Sequence, residues 1–133
     1  MHRSRIGVVL VDHPAESYAA AAEFWAAARG SGRRGDPDDP GDPYESLDQL
    51  AGGINLELQR TGSGTPPRVH LDIETDDVPA EIARVEGLGA RVVDRYDDYA
   101  VLADPGGLLF CIVPVQTGAD FDTNATTWSA GTE

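Results

Sequence analysis

Two short stretches of this chain set chemically capable side chains at alternating positions. In Ile54 to Gln59 (INLELQ), Asn55, Glu57 and Gln59 fall on one side of an extended segment, and Ile54, Leu56 and Leu58 on the other. Val69 to Glu74 (VHLDIE) repeats the device, with His70, Asp72 and Glu74 opposite Val69, Leu71 and Ile73. On such a face His70 has three readings: a metal ligand, a general base, or a hydrogen-bonded structural histidine. Glu57 is either a functional carboxylate or half of a salt bridge to Arg5 or Arg68. Cys111, the single cysteine, lies inside the apolar run Leu108 to Val113, where a buried reduced thiol is expected. Nucleophilic use of that thiol requires an activating base on the same strand face and solvent access. Asp38 and Asp39 lack the alternate-residue spacing of a calcium loop and read as a solvated turn. His2 reads as part of a frayed terminus and His13 as part of a helix start. The glycines near 30–41 neither follow a strand directly nor open a helix, so no phosphate-binding loop is present.

The elements that must carry these residues are legible in outline. Ile6 to Val11 (IGVVLV) is a β-branched apolar run that reads as a buried strand, and Asp12-His13-Pro14 starts a helix. Tyr18, Ala21, Ala22, Trp25 and Ala28 recur at helical spacing, which predicts a helix to about Arg29 that ends at Gly30, with Phe24 and Trp25 in the core. Residues 30–43 are dense in Gly, Pro and Asp and form a loop, and Tyr44 to Leu50 holds a short strand. Asp76 and Asp77 are N-cap candidates for a second helix that buries Ile82, Val85 and Leu88. Strands follow at Ala90 to Val93, Tyr99 to Ala103 and Leu108 to Val115, the last two joined by the turn Asp104-Pro105-Gly106-Gly107. The order is a duplicated βαβββ unit whose first copy is short of one strand. The expected fold is α+β, two βαβββ units forming a curved mixed sheet cup with helices on the outer face. One domain spans 4–115, with unit one at about 4–60 and unit two at about 68–115. Residues 116–133 form a polar tail, mobile except where Phe121 or Trp128 docks.

Composition narrows the partners. The 133 residues carry a net charge of −13 and a pI near 4.4, and all ten basic residues are scattered arginines. Nucleic acid and anionic membranes are disfavoured by that balance. The longest N-terminal apolar stretch is too short for a signal peptide core, and no segment approaches the roughly 20 apolar residues that spanning a bilayer requires. A reducing, cytoplasmic setting is expected.

The stretch RVHLDIETDDVPAEIARVEGLGARVV, followed by YAVLADPGGLLFCIVP, resembles the second half of actinobacterial glyoxalase-like proteins of the vicinal oxygen chelate superfamily. VVLVDHPAESYAAAAEFWAAARG is similar to their first half, and the likeness covers residues 5 to about 115. Metal-using members place one ligand in each of four strands, so that a divalent ion keeps open positions for substrate oxygens. Carried over motif by motif, these positions fall near Arg5 and on Glu57, His70 and Cys111. Arg5 is a permanent cation and cannot coordinate, and a lone thiolate is a poor match for hard ions. The resemblance therefore implies a small-molecule-binding protein with a degenerate metal site and no resident cofactor. Its ligand-binding candidates are Glu57, His70, Arg5, Asn55, Gln59, Asp72 and Cys111. The competing reading is a metal-dependent lyase or dioxygenase in which Glu57 and His70 hold a divalent metal. A third is an interaction domain without a small ligand, since a shared fold does not choose among these. A homodimer is expected, because the family's cups are commonly completed by pairing and a short first unit leaves bare sheet edges.

Overall fold

A computed structural model describes residues 1–33 and 41–129. In chain order its elements are β1 (His2–Pro14), α1 (Ala15–Arg29), β2 (Tyr44–Ser46), β3 (Asn55–Thr61) and β4 (Arg68–Thr75). They continue with α2 (Val78–Gly87), β5 (Arg91–Arg95), β6 (Ala100–Ala103), β7 (Leu109–Pro114), α3 (Ala119–Asn124) and β8 (Thr126–Trp128). The fold is mixed α+β, and among the described residues β1-α1-β2-β3 is one strand shorter than β4-α2-β5-β6-β7, as the sequence predicts. The chain forms two compact units, Val9–His70 and Met1–Val8 with Leu71–Glu133, so β1 and β4 each contribute residues to both. The expected turn at Asp38 and Asp39 lies outside the described residues.

In the unit Val9–His70, the strand order is β2-β3-β1, and β2 pairs antiparallel with β3. Its core joins Tyr18, Ala22 and Ala26 of α1 to Leu47 and Leu58, with Val11 and Leu56 packed against it. Spacing of four residues puts these three α1 positions in one narrow row, and the two alanines allow close approach to the strands. Of the other residues expected to be core, Ala21 is half-buried while Trp25 and Ala28 are exposed, as is Phe24, which meets Trp25 edge-on with ring centroids 5.1 Å apart. The helix ends as expected: Gly30 takes a left-handed conformation at φ 71 and its N–H reaches the last carbonyls.

In the other unit β1, β4, β7, β6 and β5 are successive neighbours, and β8 pairs with β1 from His2↔Trp128 to Ser4↔Thr126. The β4–β7 pairing is parallel, while β6–β7 and β5–β6 are antiparallel. Asp77 caps α2 by accepting from the Ala80 N–H at 3.1 Å, and Asp76 instead takes the Arg3 backbone N–H at 2.8 Å. Ile82 and Val85 pack with Ala100, Leu102 and Ile112, and Ile73 joins them from β4. Leu88, at the helix end, is 70% exposed rather than core. Ile6 and Val69 are also exposed, since alternation fixes which side of a strand a residue takes but not whether that side is covered. In the β6–β7 turn, Asp104 Oδ1 accepts from the N–H groups of Gly106 and Leu108, both at 2.8 Å.

His2 is not frayed. Its Nε2 lies 2.8 Å from Glu81 Oε1, inside a buried cluster closed by the Arg84 guanidinium on Glu81. The Arg84 guanidinium also stands 3.9 Å over the Trp128 ring, whose Nε1–H donates to Ser4 Oγ at 2.9 Å. Phe121 is 1% exposed and lies under the Arg3 guanidinium at 5.0 Å. Both aromatic residues named as possible anchors of the C-terminal segment therefore dock. At the other end of this unit, β5 carries Arg91, Asp94 and Arg95 and an irregular register between Val92 and Asp94, features that blunt an edge strand.

Phe121→Ala is expected to cost about 3–5 kcal/mol and Leu58→Ala about 2–5 kcal/mol, whereas Phe24→Ala costs within about 0.5 kcal/mol. Urea denaturation of the three variants checks this, and a Phe121 effect as small as that of Phe24 would show that the C-terminal segment is not docked.

Candidate functional site

In the unit Val9–His70, packing of Leu56 and Leu58 toward α1 turns Asn55, Glu57 and Gln59 to the opposite face of β3. Asn55 Oδ1 accepts from Gln49 Nε2 at 2.8 Å, and Gln59 Nε2 donates to the Tyr44 hydroxyl at 3.2 Å. Glu57, half-buried, lies opposite Ser46 of β2. On β4, His70 is buried and its Nδ1 stands 3.8 Å from Asp12 Oδ2 on β1, a charge-pair distance too long for a hydrogen bond. The same oxygen accepts from Arg68 Nε at 3.2 Å. Asp12, read from the sequence as part of a helix start, is thus a buried acid beside the candidate histidine. Its helix begins without a side-chain cap.

A second acid-rich centre of this unit lies beside α1. The Tyr18 hydroxyl donates to Glu45 Oε1 at 2.8 Å, and Arg33 Nε donates to Glu45 Oε2 at 2.8 Å. Arg33 and the Tyr18 hydroxyl outweigh burial and hold the Glu45 carboxyl below its ordinary value, while burial and the Glu45 charge push the tyrosine up.

The candidates Arg5, Asp72 and Cys111 belong to the other unit. Asp72 on β4 and Cys111 on β7 are directly paired in register, the acid half-buried and the thiol buried. Arg5 Nε donates to Glu74 Oε2 at 2.8 Å and Arg5 Nη2 to Thr117 Oγ1 at 2.9 Å. Glu74 is fully buried and also accepts from the backbone N–H groups of Gln116 at 2.7 Å and Thr117 at 3.0 Å, and from Thr117 Oγ1 at 2.6 Å. Burial alone would raise the Glu74 carboxyl, but these donors outweigh it and hold the group below its ordinary value of 4.5. A Cβ on Gly7 would lie 2.1 Å from Glu74 Oε2, so glycine in β1 is what admits this carboxylate. Glu74 lies on the polar stripe of VHLDIE, where alternation alone does not distinguish it from its neighbours. The available signal was Gly7, the one small residue interrupting the apolar run IGVVLV.

The family model described as a glyoxalase-like domain matches residues 8–113. No curated protein matches the chain. Among solved structures, a hypothetical protein from Bacillus halodurans superposes with a TM-score of 0.59 at 15% identity, covering 85% of this chain and 95% of that one. A variant methylmalonyl-CoA epimerase of Streptomyces coelicolor, in complex with 2-nitronate-propionyl-CoA, superposes with a TM-score of 0.55 at 20% identity, covering 83% and 96%. A Mn(II)-bound glyoxalase from Novosphingobium aromaticivorans gives a TM-score of 0.55 at 21% identity, covering 84% of this chain and 40% of that one. At these identities the likeness is one of fold.

Because the folded-state value of Glu74 is depressed, its contribution is fully present above the ordinary value of 4.5 and is lost as pH falls through the folded-state value. Glu74→Gln is therefore expected to flatten the acid limb of the stability–pH curve below about pH 4.5, and at neutral pH to cost about 3–5 kcal/mol by leaving Arg5 without its buried partner. Gly7→Ala should cost a similar amount, about 3 kcal/mol, by pushing the carboxylate out of place. Urea titrations across pH read both, and a Gly7→Ala protein as stable as the parent would contradict the geometry.

Proposed function

This chain belongs to the glyoxalase-like family of the vicinal oxygen chelate superfamily, and we propose that it binds a small organic molecule without a complete metal site. The polar faces of β3 and β4 serve this role, with Asn55, Glu57 and Gln59 on one and His70 on the other. The observation that carries the reading is Arg5. The resemblance puts the first ligand of metal-using relatives near Arg5, whose guanidinium has no lone pair to offer. Arg5 is also paired with buried Glu74, so the pair brings neither a ligand nor a net positive charge in place of an ion. The four-ligand set therefore does not fit this chain, and no step through a metal is derived. Glu57 and His70 supply hydrogen-bond acceptors, and His70 also supplies a donor, which suits a ligand with both N–H or O–H groups and acceptor oxygens. Asp72 and Cys111, in the other unit, are separate candidates there.

A homodimer belongs to the same proposal. Its support is the apolar pair Phe24 and Trp25, exposed together on α1, rather than the charged edge at β5. Among the described residues no helix is long and apolar enough to cross a membrane.

Protein purified without chelators is expected to hold well under one equivalent of Zn, Ni, Mn or Fe, and ligand-observed NMR against a mixed library of small acids, amines and thiols should give hits that His70→Ala abolishes. About one equivalent of metal that disappears in His70→Ala would establish the metal-dependent alternative instead. Sedimentation giving a single species of 14.1 kDa would remove the homodimer.

A further inference from the structure

Asp12 is a carboxylate 1% exposed, yet its Oδ1 has no hydrogen-bond partner among the described residues. Its other oxygen accepts from Arg68 Nε at 3.2 Å and lies 3.8 Å from His70 Nδ1. A buried acceptor left unsatisfied costs about 1–3 kcal/mol, and more when it is charged. A carboxylate with such an atom, its other oxygen facing an imidazole, is a ready receptor for a donor that arrives from outside. Arg68 already shows the geometry that the carboxylate accepts, a planar N–H donor on Oδ2. The second oxygen is unspent. The Arg68 side chain is 42% exposed and forms one wall of an open pocket of about 280 Å³ with Thr61, Thr65 and Pro66. A ligand in that pocket is one side chain away from Asp12, and displacement of this half-exposed arginine opens the path.

We propose that the Asp12 carboxylate receives a planar, cationic N–H group of the ligand, an amidinium or guanidinium, on Oδ1 and on the Oδ2 that Arg68 vacates, with His70 beside it. The proposal rests on the reading of this chain as a small-molecule binder and names the ligand class. A carboxylate selects a cationic donor over an anion of the same shape, because an anion would face Oδ1 with no proton to share. The net charge of −13 favours the approach of cations on the same terms.

Benzamidine and benzoate share a planar frame and differ in charge and donors, so the pair isolates this chemistry. Titrated into 15N-labelled protein, benzamidine is expected to move the amide resonances of Asp12, Arg68 and His70, and benzoate is not. Asp12→Asn should weaken benzamidine by about tenfold or more. Arg68→Gln, which removes the internal competitor for the carboxylate, should tighten it several-fold, an effect that a merely structural Asp12 would not produce. The spectra themselves report folding, and if Asp12→Asn does not fold, Arg68→Gln decides the matter. Equal shifts with benzoate, no shifts with benzamidine, or unchanged or weaker binding in Arg68→Gln would each overturn the proposal. If library hits are lost in His70→Ala while benzamidine leaves Asp12 unmoved, this inference falls alone. If neither the library nor benzamidine binds, the binding role falls with it.

Discussion

The buried carboxylate of Glu74 is the constraint on which the larger unit is arranged. A fully buried acid is tolerable only when charge and lone pairs are matched, and here the match draws three types of donor from two places. Arg5 comes from β1, the backbone N–H groups of Gln116 and Thr117 come from the segment after β7, and the Thr117 hydroxyl adds a third type of donor. Satisfying one carboxylate thus ties the first strand, the fourth strand and the start of the C-terminal segment together. It also dictates Gly7, because any larger residue would occupy the space that Glu74 Oε2 takes. Such a pair adds little net stability over well-packed apolar residues of similar volume, but removing one partner is costly.

The same logic recurs nearby. Glu81 faces inward from α2, where burial would raise it, and Arg84, His2 and Ser4 hold it below its ordinary value. With Trp128 stacked on Arg84 and bonded to Ser4, this cluster closes the pairing of β8 with β1. Two buried glutamates, each with an arginine and further donors, thus anchor the N-terminal strand and the C-terminal segment in one unit.

The two helices solve one packing problem differently. α2 covers its strands with Ile82 and Val85, branched residues that fill space from a modest helix. α1 uses Tyr18, Ala22 and Ala26, so it approaches closely and leaves its large aromatics on the outer face. Replacing bulk by closeness keeps dispersion contacts while freeing Phe24 and Trp25 from the interior. On the polar side of the strands, Asp12 and Glu74 show how far environment separates two buried acids. Glu74 has every acceptor filled, whereas Asp12 keeps one oxygen unspent beside His70.

Period and punctuation alone determined the order of elements as far as β7, the glycine stop of α1, a cap for α2 at Asp76 or Asp77, the missing strand of the first unit and the polar stripe on β3, but not α3 and β8, which lie in the segment read as a tail. These features rest on neighbours a few residues apart, where the backbone geometry of helix and strand leaves few alternatives. The stripe of VHLDIE likewise marked His70, Asp72 and Glu74. What that pattern did not contain was the partner of each charge. Arg5 with Glu74 is a pairing across 69 residues, His2 with Glu81 across 79, and Arg68 with Asp12 across 56. For the same reason spacing puts Phe24, Trp25 and Leu88 in the interior, and the structure leaves them outside it. Hydrophobic periodicity states which face a residue occupies, but coverage of that face depends on elements brought from elsewhere in the chain. Only the tertiary structure decided these points, because burial and ion pairing are properties of three-dimensional neighbours and local sequence constrains them weakly.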